Sequence, residues 1–184
     1  MTTPMAPTTP TTFTIDGVHS SAEFAVKHLM ISTVRGRFRS LEGTIVFNED
    51  SLQGSSAHAV IETASIDTGV EGRDADLRSA NYIDVEKFPE IRFESTAVER
   101  RSADRYAVTG ALTIRDVTKT VVLDTELEGR GKGMQGEDRI GFTATTALSR
   151  KDFGLTTNPL LETGGVVISD AVKVTLHLEA FAAS

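Results

Sequence analysis

The sequence predicts an all-β fold, an eight-stranded antiparallel barrel with one helix covering an end or a side. Three observations point there. Val172, Val174, Leu176, Leu178 and Ala180 share one parity, while Lys173, Thr175, His177 and Glu179 take the other. A period of two kept over this span describes a strand with one dry face and one wet face. The spans 106–114, 120–127 and 140–148 repeat the pattern, and an antiparallel sheet of that length must pack on a second sheet or close on itself. Helical signals, finally, gather in one stretch, residues 69–80.

A chain of 184 residues fits one domain and can bury roughly 70% of its unfolded surface. Residues 1–12, rich in proline and threonine, predict a disordered arm, which leaves 13–184 as the single domain. The 26 acidic and 19 basic side chains give a net charge of −7 with no basic block. No nucleic-acid partner and no general anionic-membrane surface is expected, although a small local anion site stays open. There is no cysteine, which removes disulfides, cysteine-ligated zinc and thiol nucleophiles. The N-terminus lacks both the basic start and the apolar core of a secretory signal, and no 18-residue apolar run is present. Cytoplasmic residence is the expectation for the chain as given, with export the alternative if a processed signal preceded it.

In chain order, Phe13 and Ile15 open a strand, and Ala22, Phe24, Val26 and His28 alternate with Glu23, Ala25 and Lys27. Residues 28–33 are irregular, with three adjacent apolar side chains that suit a helical turn or a loop dipping into an apolar space. Val34, Gly36 and Phe38 share a parity that breaks at Arg39-Ser40 before Leu41, Gly43, Ile45 and Phe47. The break predicts a bulge or corner of a bent strand, with two separate strands as the alternative. Residues 55–66 form a strand whose faces are poorly resolved. Thr68 and Glu71 fit a capping box for the helix, with Val70, Arg73 and Leu77 on one face. Tyr82, Ile83, Val85 and Phe88 are inward anchors of the connection to the strand at 91–95. Hairpin turns follow at 100–104, at Arg115-Asp116 and at 129–136, before a last excursion over 149–165.

Eight closed strands leave an interior that is either filled or wide enough for one small ligand. Gly110, Ala144 and Thr146 fall on dry faces, where small residues make room or compensate for large neighbours. Both outcomes stay open. A hollow interior would be walled by aliphatic and phenylalanine side chains, since the chain has no tryptophan and two tyrosines. Such a wall selects length and lipophilicity, each buried methylene contributing roughly 0.8 kcal/mol before ordering costs.

Reactive chemistry finds little support. The four histidines, His19, His28, His58 and His177, form no compact metal motif, and His19-Ser20 lacks a nucleophile elbow. The expectation is no catalytic residue and no metal. His28 shares the parity of Phe24 and Val26, which places its imidazole inside as a satisfied core group or a headgroup contact. Arg73, pointing inward, needs a buried carboxylate or a ligand phosphate. Asp152, in the run 149–157, belongs to a polar rim or an ordinary structured loop, and Arg115-Asp116 reads as a hydrated turn.

Several separated motifs, in order, resemble the YceI-like family of polyisoprenoid-binding proteins. They include Val26-Lys27-His28-Leu29, Val34-Arg35-Gly36-Arg37-Phe38, Ala64-Ser65-Ile66-Asp67-Thr68-Gly69, Asp84-Val85-Glu86-Lys87-Phe88-Pro89, Thr109-Gly110-Ala111-Leu112-Thr113-Ile114 and Arg150-Lys151-Asp152-Phe153-Gly154-Leu155. The resemblance covers about residues 13–181. It implies a lipocalin-like barrel holding an isoprenoid lipid or quinone without catalysis, in a bacterial family often exported and linked to lipid handling and stress responses. Two departures stand out, Asp76 where members commonly carry histidine and Asp116 where the turn commonly carries glycine.

Taken together, these observations predict non-enzymatic binding of a long-chain amphiphilic lipid, with no required cofactor. The rival is a structural or protein-interaction barrel with no physiological lipid; a hydrolase is the remote third. The expected lining is Phe24, Val26, Leu29, Ile31, Phe38 and Tyr82, with Phe93, Leu112, Phe142, Phe153 and Leu155 from the later strands. His28 would meet a polar end, and Arg73 and Asp152 would make headgroup or structural polar contacts. Pairing of edges or faces would make a homodimer, at an interface the sequence does not locate.

Overall fold

The computed structural model describes residues 9–159 and 166–182. Residues 1–8 of the expected arm and 160–165 of the last excursion lie outside the described residues. Thr11 and Thr12, counted in the expected arm, belong instead to the first strand, β1 (Thr11–Ile15), where they pair with Phe47 and Val46.

The remaining segments are β2 (Ser21–His28), β3 (Ser32–Phe38), β4 (Leu41–Phe47), β5 (Ser56–Glu62) and β6 (Ile66–Asp67). After helix α1 (Glu71–Arg78) come β7 (Glu90–Arg100), β8 (Arg105–Ile114), β9 (Val117–Lys132), β10 (Asp138–Ser149) and β11 (Ile168–Ala182). All pairings are antiparallel, and β1 bonds both β4 and β11, which closes the ring β1-β4-β5-β7-β8-β9-β10-β11. β2, β3 and β6 continue the same paths: β2 pairs with the first part of β11, β3 with β2, and β6 with β3. The barrel thus has eight strand paths, three of them broken.

One break is the predicted corner at Arg39-Ser40. β3 and β4 are separate hydrogen-bonded segments of one bent path, and the Arg39 N–H donates to the Ser65 carbonyl where β5 and β6 bend alongside. The long late strands keep their predicted parity. Val172, Val174, Leu176 and Leu178 face inward, and Ala180 is fully buried.

Two local expectations fail. Thr68 does not cap Glu71: Val70 is the N-cap and the cap has no side-chain bond. Instead the Thr68 N–H and hydroxyl both donate to Asp74 Oδ1, at 2.9 and 2.5 Å, and Asp74 is buried. The buried Asp74 carboxylate, one turn into the helix, takes both Thr68 donors and leaves the exposed Glu71 carboxylate none to accept. Residues 29–31, moreover, neither form a helical turn nor dip inward. They make a three-residue hairpin loop closed by the His28–Ser32 pair, with Ile31 83% exposed.

The core is concentrated at one end. Phe13, Ile15, Leu41, Ile45, Phe47, Tyr106, Ile140, Phe142 and Ala180 form a buried cluster. Phe47 meets Tyr106 and Phe142 edge-on, each at 5.4 Å between centroids, a geometry that adds about 1 kcal/mol per pair beyond area. This cluster is the floor. At the same end, Arg139 on β10 bonds Asp16 after β1 at 2.9 Å, Glu179 on β11 at 2.5 Å and Glu137 at 2.8 Å.

Candidate functional site

Above the floor the barrel is hollow. Its cavity measures about 460 Å³, inside the range of roughly 300–1,000 Å³ typical of small-molecule sites. β2 contributes Ala22, Phe24, Val26 and His28; β7 and β8 contribute Ile91, Phe93 and Leu112; β10 and β11 contribute Thr146, Leu148, Val172, Val174 and Leu176. These side chains are there because inward parity carries them to one side of each strand. Most are half-buried although they face inward, as expected for a wall that borders empty space.

Small residues on the wall turn out to serve large neighbours. A Cβ at Gly110 would lie 2.5 Å from the Phe93 ring and from the Glu94 carbonyl oxygen, and Ala144 is packed at 2% exposure. Thr146 does border the hollow.

Of the predicted lining residues, Phe24, Val26, Phe38, Tyr82, Phe93, Leu112, Phe153 and Leu155 lie on the cavity wall, as does His28. Three do not. Ile31 projects outward on the hairpin tip, and Leu29 enters that tip in a left-handed conformation, φ 53°. Phe142 points inward but belongs to the floor, where it borders a separate void of about 70 Å³. Adjacent apolar residues after His28 suggested a dipping loop, but a three-residue hairpin has no length to fold back.

The polar groups cluster at the mouth. Arg73 lies on the wall, and its Nε donates to Thr68 Oγ1 at 2.7 Å and its Nη2 to the Thr68 carbonyl at 3.1 Å. Of the two partners expected for it, a buried carboxylate stands nearby in Asp74 but is reached only through the Thr68 hydroxyl. Asp152 stays exposed off the wall, its N–H donating to Ser149 Oγ at 3.4 Å, so it takes no part in the mouth. Asp76 lines the rim and accepts from Asn81 Nδ2 at 3.1 Å. Burial pushes the Tyr82 phenol up, and nearby Asp76 adds to the shift. Arg115-Asp116 forms the expected turn with Asp116 exposed, but the Arg115 guanidinium leaves water to stack on the Phe88 ring at 5.3 Å and donate to the Gly154 carbonyl at 3.3 Å.

Arg150, within the run 149–157 expected as a polar rim or a loop, was not among the expected site residues. It is 9% exposed, borders the cavity, and donates to the carbonyls of Ser169, Leu155 and Thr157 at 3.0–3.3 Å. Among the described residues no carboxylate comes within ion-pair distance of it, although the Asp170 carboxylate is near enough to feel its charge. The signal was present: Arg150 continues the parity of Phe142, Ala144, Thr146 and Leu148 by one more step. What the arrangement offers chemically is a long apolar chamber whose mouth carries two inward-held cations and a phenol.

Asp16, His19 and Glu179 bring their donor atoms within 4.8 Å of one another at the floor end. Arg139 already bonds both carboxylates, so a fixed guanidinium stands where a metal would compete.

The YceI-like domain profile matches residues 13–180. The chain belongs to the YceI family. A UPF0312 protein of Serratia proteamaculans is 41% identical over 142 residues, 77% of this chain and 73% of the relative. One from Pectobacterium atrosepticum is 40% identical over 146 residues, 79% and 76% of the two chains. Among solved structures, the Campylobacter jejuni YCEI protein superposes with a TM-score of 0.74 at 30% identity, over 86% of this chain and 90% of that one. A polyisoprenoid binding domain from Saccharophagus degradans shares the fold alone, with a TM-score of 0.70 at 17% identity over 93% and 98%. The protein is thus a barrel of the YceI type, with a hollow apolar interior above its floor.

Proposed function

We propose that this barrel binds a long-chain isoprenoid lipid, a polyprenyl or quinone compound, for sequestration or transfer. The observation that carries the proposal is the hollow of about 460 Å³ whose apolar wall ends in a mouth bearing Arg73, Arg150 and Tyr82. The tail occupies the chamber, where area removed from water supplies the affinity. An electron-rich headgroup, quinone carbonyls or phosphate, sits at the mouth beside the two guanidinium groups. Asp76 opposes a bare phosphate there and favours the uncharged quinone. The printed description of the Saccharophagus degradans domain as polyisoprenoid binding supports the same ligand class, and no cofactor takes part.

Native mass spectrometry of gently purified protein, with solvent extraction and lipid identification, tests the proposal. The expected result is a stoichiometric isoprenoid adduct, or uptake of an added polyprenyl quinone. Protein that is reproducibly lipid-free and refuses the added quinone would favour a structural barrel instead.

A further inference from the structure

The β2–β3 tip joins two features that fold stability does not account for. Met30 and Ile31 are 67% and 83% exposed, and Val166 beside them is 45% exposed. Leu29 and Met30 both hold left-handed backbone, φ 53° and 56°, where asparagine or glycine would close the hairpin with less strain. Burial and turn chemistry therefore both argue against apolar side chains at this loop, so their presence points to an apolar partner outside the molecule.

The tip also begins where the cavity wall ends. His28, Val167 and Ile168 line the cavity, and the Leu29 N–H donates to the Val167 carbonyl at 2.8 Å. On the outer face behind the tip, Ala25 is the register partner of both Arg35 and Lys173, while Lys27 pairs across from Thr33. Lys27, Arg35 and Lys173 thus project from three neighbouring strands, and among the described residues none of them has an acidic partner. Farther along β3, Arg37 and Arg39 share Asp67, and Glu23 lies opposite Arg37. Arg35 is four residues from Ile31, roughly 13 Å at strand rise.

We infer that the 29–31 hairpin tip docks on an anionic phospholipid bilayer, Met30 and Ile31 entering the acyl boundary while Lys27, Arg35 and Lys173 meet headgroup phosphates. This spacing suits apolar insertion of roughly 5–10 Å with long cationic side chains above it. The protein's net charge of −7 disfavours unoriented association with such a surface. Docking sets the cavity mouth against the bilayer, so a lipid passes between membrane and barrel without crossing water. The inference rests on the lipid-binding proposal above and adds the surface through which loading occurs.

Vesicle flotation with phosphatidylcholine alone and with added phosphatidylglycerol tests it, using full-length wild-type protein, the double variant Met30→Ser/Ile31→Ser and the triple variant Lys27→Gln/Arg35→Gln/Lys173→Gln. Wild-type protein floats with the anionic vesicles, less so as salt rises. The double variant loses roughly tenfold in partitioning, and the triple variant loses roughly fivefold per cation removed together with its salt dependence. Quinone uptake without vesicles stays at the wild-type level in both, which shows that they fold and separates docking from cavity binding. Wild-type protein that ignores anionic vesicles, or variants that float as it does, would overturn the inference. Failure of quinone uptake in wild-type protein would instead count against the cavity proposal.

Discussion

Gly36 on β3 stands directly against the ring of Phe24 on β2: the two are register partners, and a Cβ at Gly36 would lie 2.3 Å from Phe24 Cζ. The ring borders the hollow, so it has somewhere to move. The same Cβ would lie 2.8 Å from the Thr68 methyl, so Gly36→Ala should cost about 1–2 kcal/mol in stability while pushing Phe24 into the ligand space and weakening lipid uptake. Gly110→Ala meets the Glu94 backbone oxygen as well as the Phe93 ring and should cost about 3 kcal/mol. Urea unfolding of both variants beside a lipid titration checks the contrast.

Floor and wall should respond differently to truncation. Phe142 is 5% exposed and packs edge-on against Phe47, so Phe142→Ala should cost about 3–5 kcal/mol. Phe24→Ala removes a ring that already borders empty space and should cost about 1 kcal/mol while enlarging the chamber. Denaturant midpoints would show whether the two differ in this order.

Helix α1 is held by the Asp74–Thr68 contact rather than by a hydroxyl cap. Thr68→Val leaves buried Asp74 with one donor in place of two and removes the acceptor of Arg73 Nε. The expected loss is about 1–3 kcal/mol, read as a lower thermal midpoint, whereas Glu71→Ala, at the position the capping box would have used, should change little.

The floor-end latch gives a pH dependence with a definite sign. His19 Nδ1 lies 2.8 Å from Asp16 Oδ2, and this hydrogen bond raises the imidazole above its ordinary 6.5. The same bond, reinforced by Arg139, holds the Asp16 carboxyl well below its ordinary 3.8. A raised histidine contributes stability that is complete below 6.5 and is lost as pH climbs through its folded value; a depressed aspartate contributes above 3.8 and loses it as pH falls. Stability from this pair is therefore greatest between about pH 4 and 6.5. His19→Gln should flatten the decline above pH 6.5, as followed by unfolding midpoints across buffers.

Most of the barrel was legible because its strands alternate strictly: β8, β10 and β11 fall within a few residues of their periodic stretches, and parity put Phe24, Val26 and His28 on the wall, whereas β9 runs on to Lys132 through glycines that read as a turn. Legibility fell where periodicity gives way to turn geometry. Leu29-Met30-Ile31 looked inward because apolar side chains usually are, yet a three-residue loop must project. Thr68-Gly69-Val70-Glu71 has the spacing of a capping box, but the buried carboxylate of Asp74, six residues on from Thr68, competes better for the Thr68 donors. Alternation alone did not separate floor from hollow either. Phe142 and Phe93 both face inward, and what distinguishes them is their height along the barrel, set by cross-strand register. Arg150 shows the converse, an inward parity overlooked because the residue is charged.

A chamber that takes an isoprenoid tail must discriminate among tail lengths. The chain has no tryptophan, and of its two tyrosines Tyr82 lines the cavity while Tyr106 lies in the floor, so tyrosine emission reports a bound quinone, with Tyr82→Phe as the control. Titration with quinones sharing one headgroup but carrying successively longer isoprenoid tails should show affinity rising with each added unit, then levelling once the tail fills the cavity. Equal affinity for all tail lengths, or no quenching by any of them, would contradict the account.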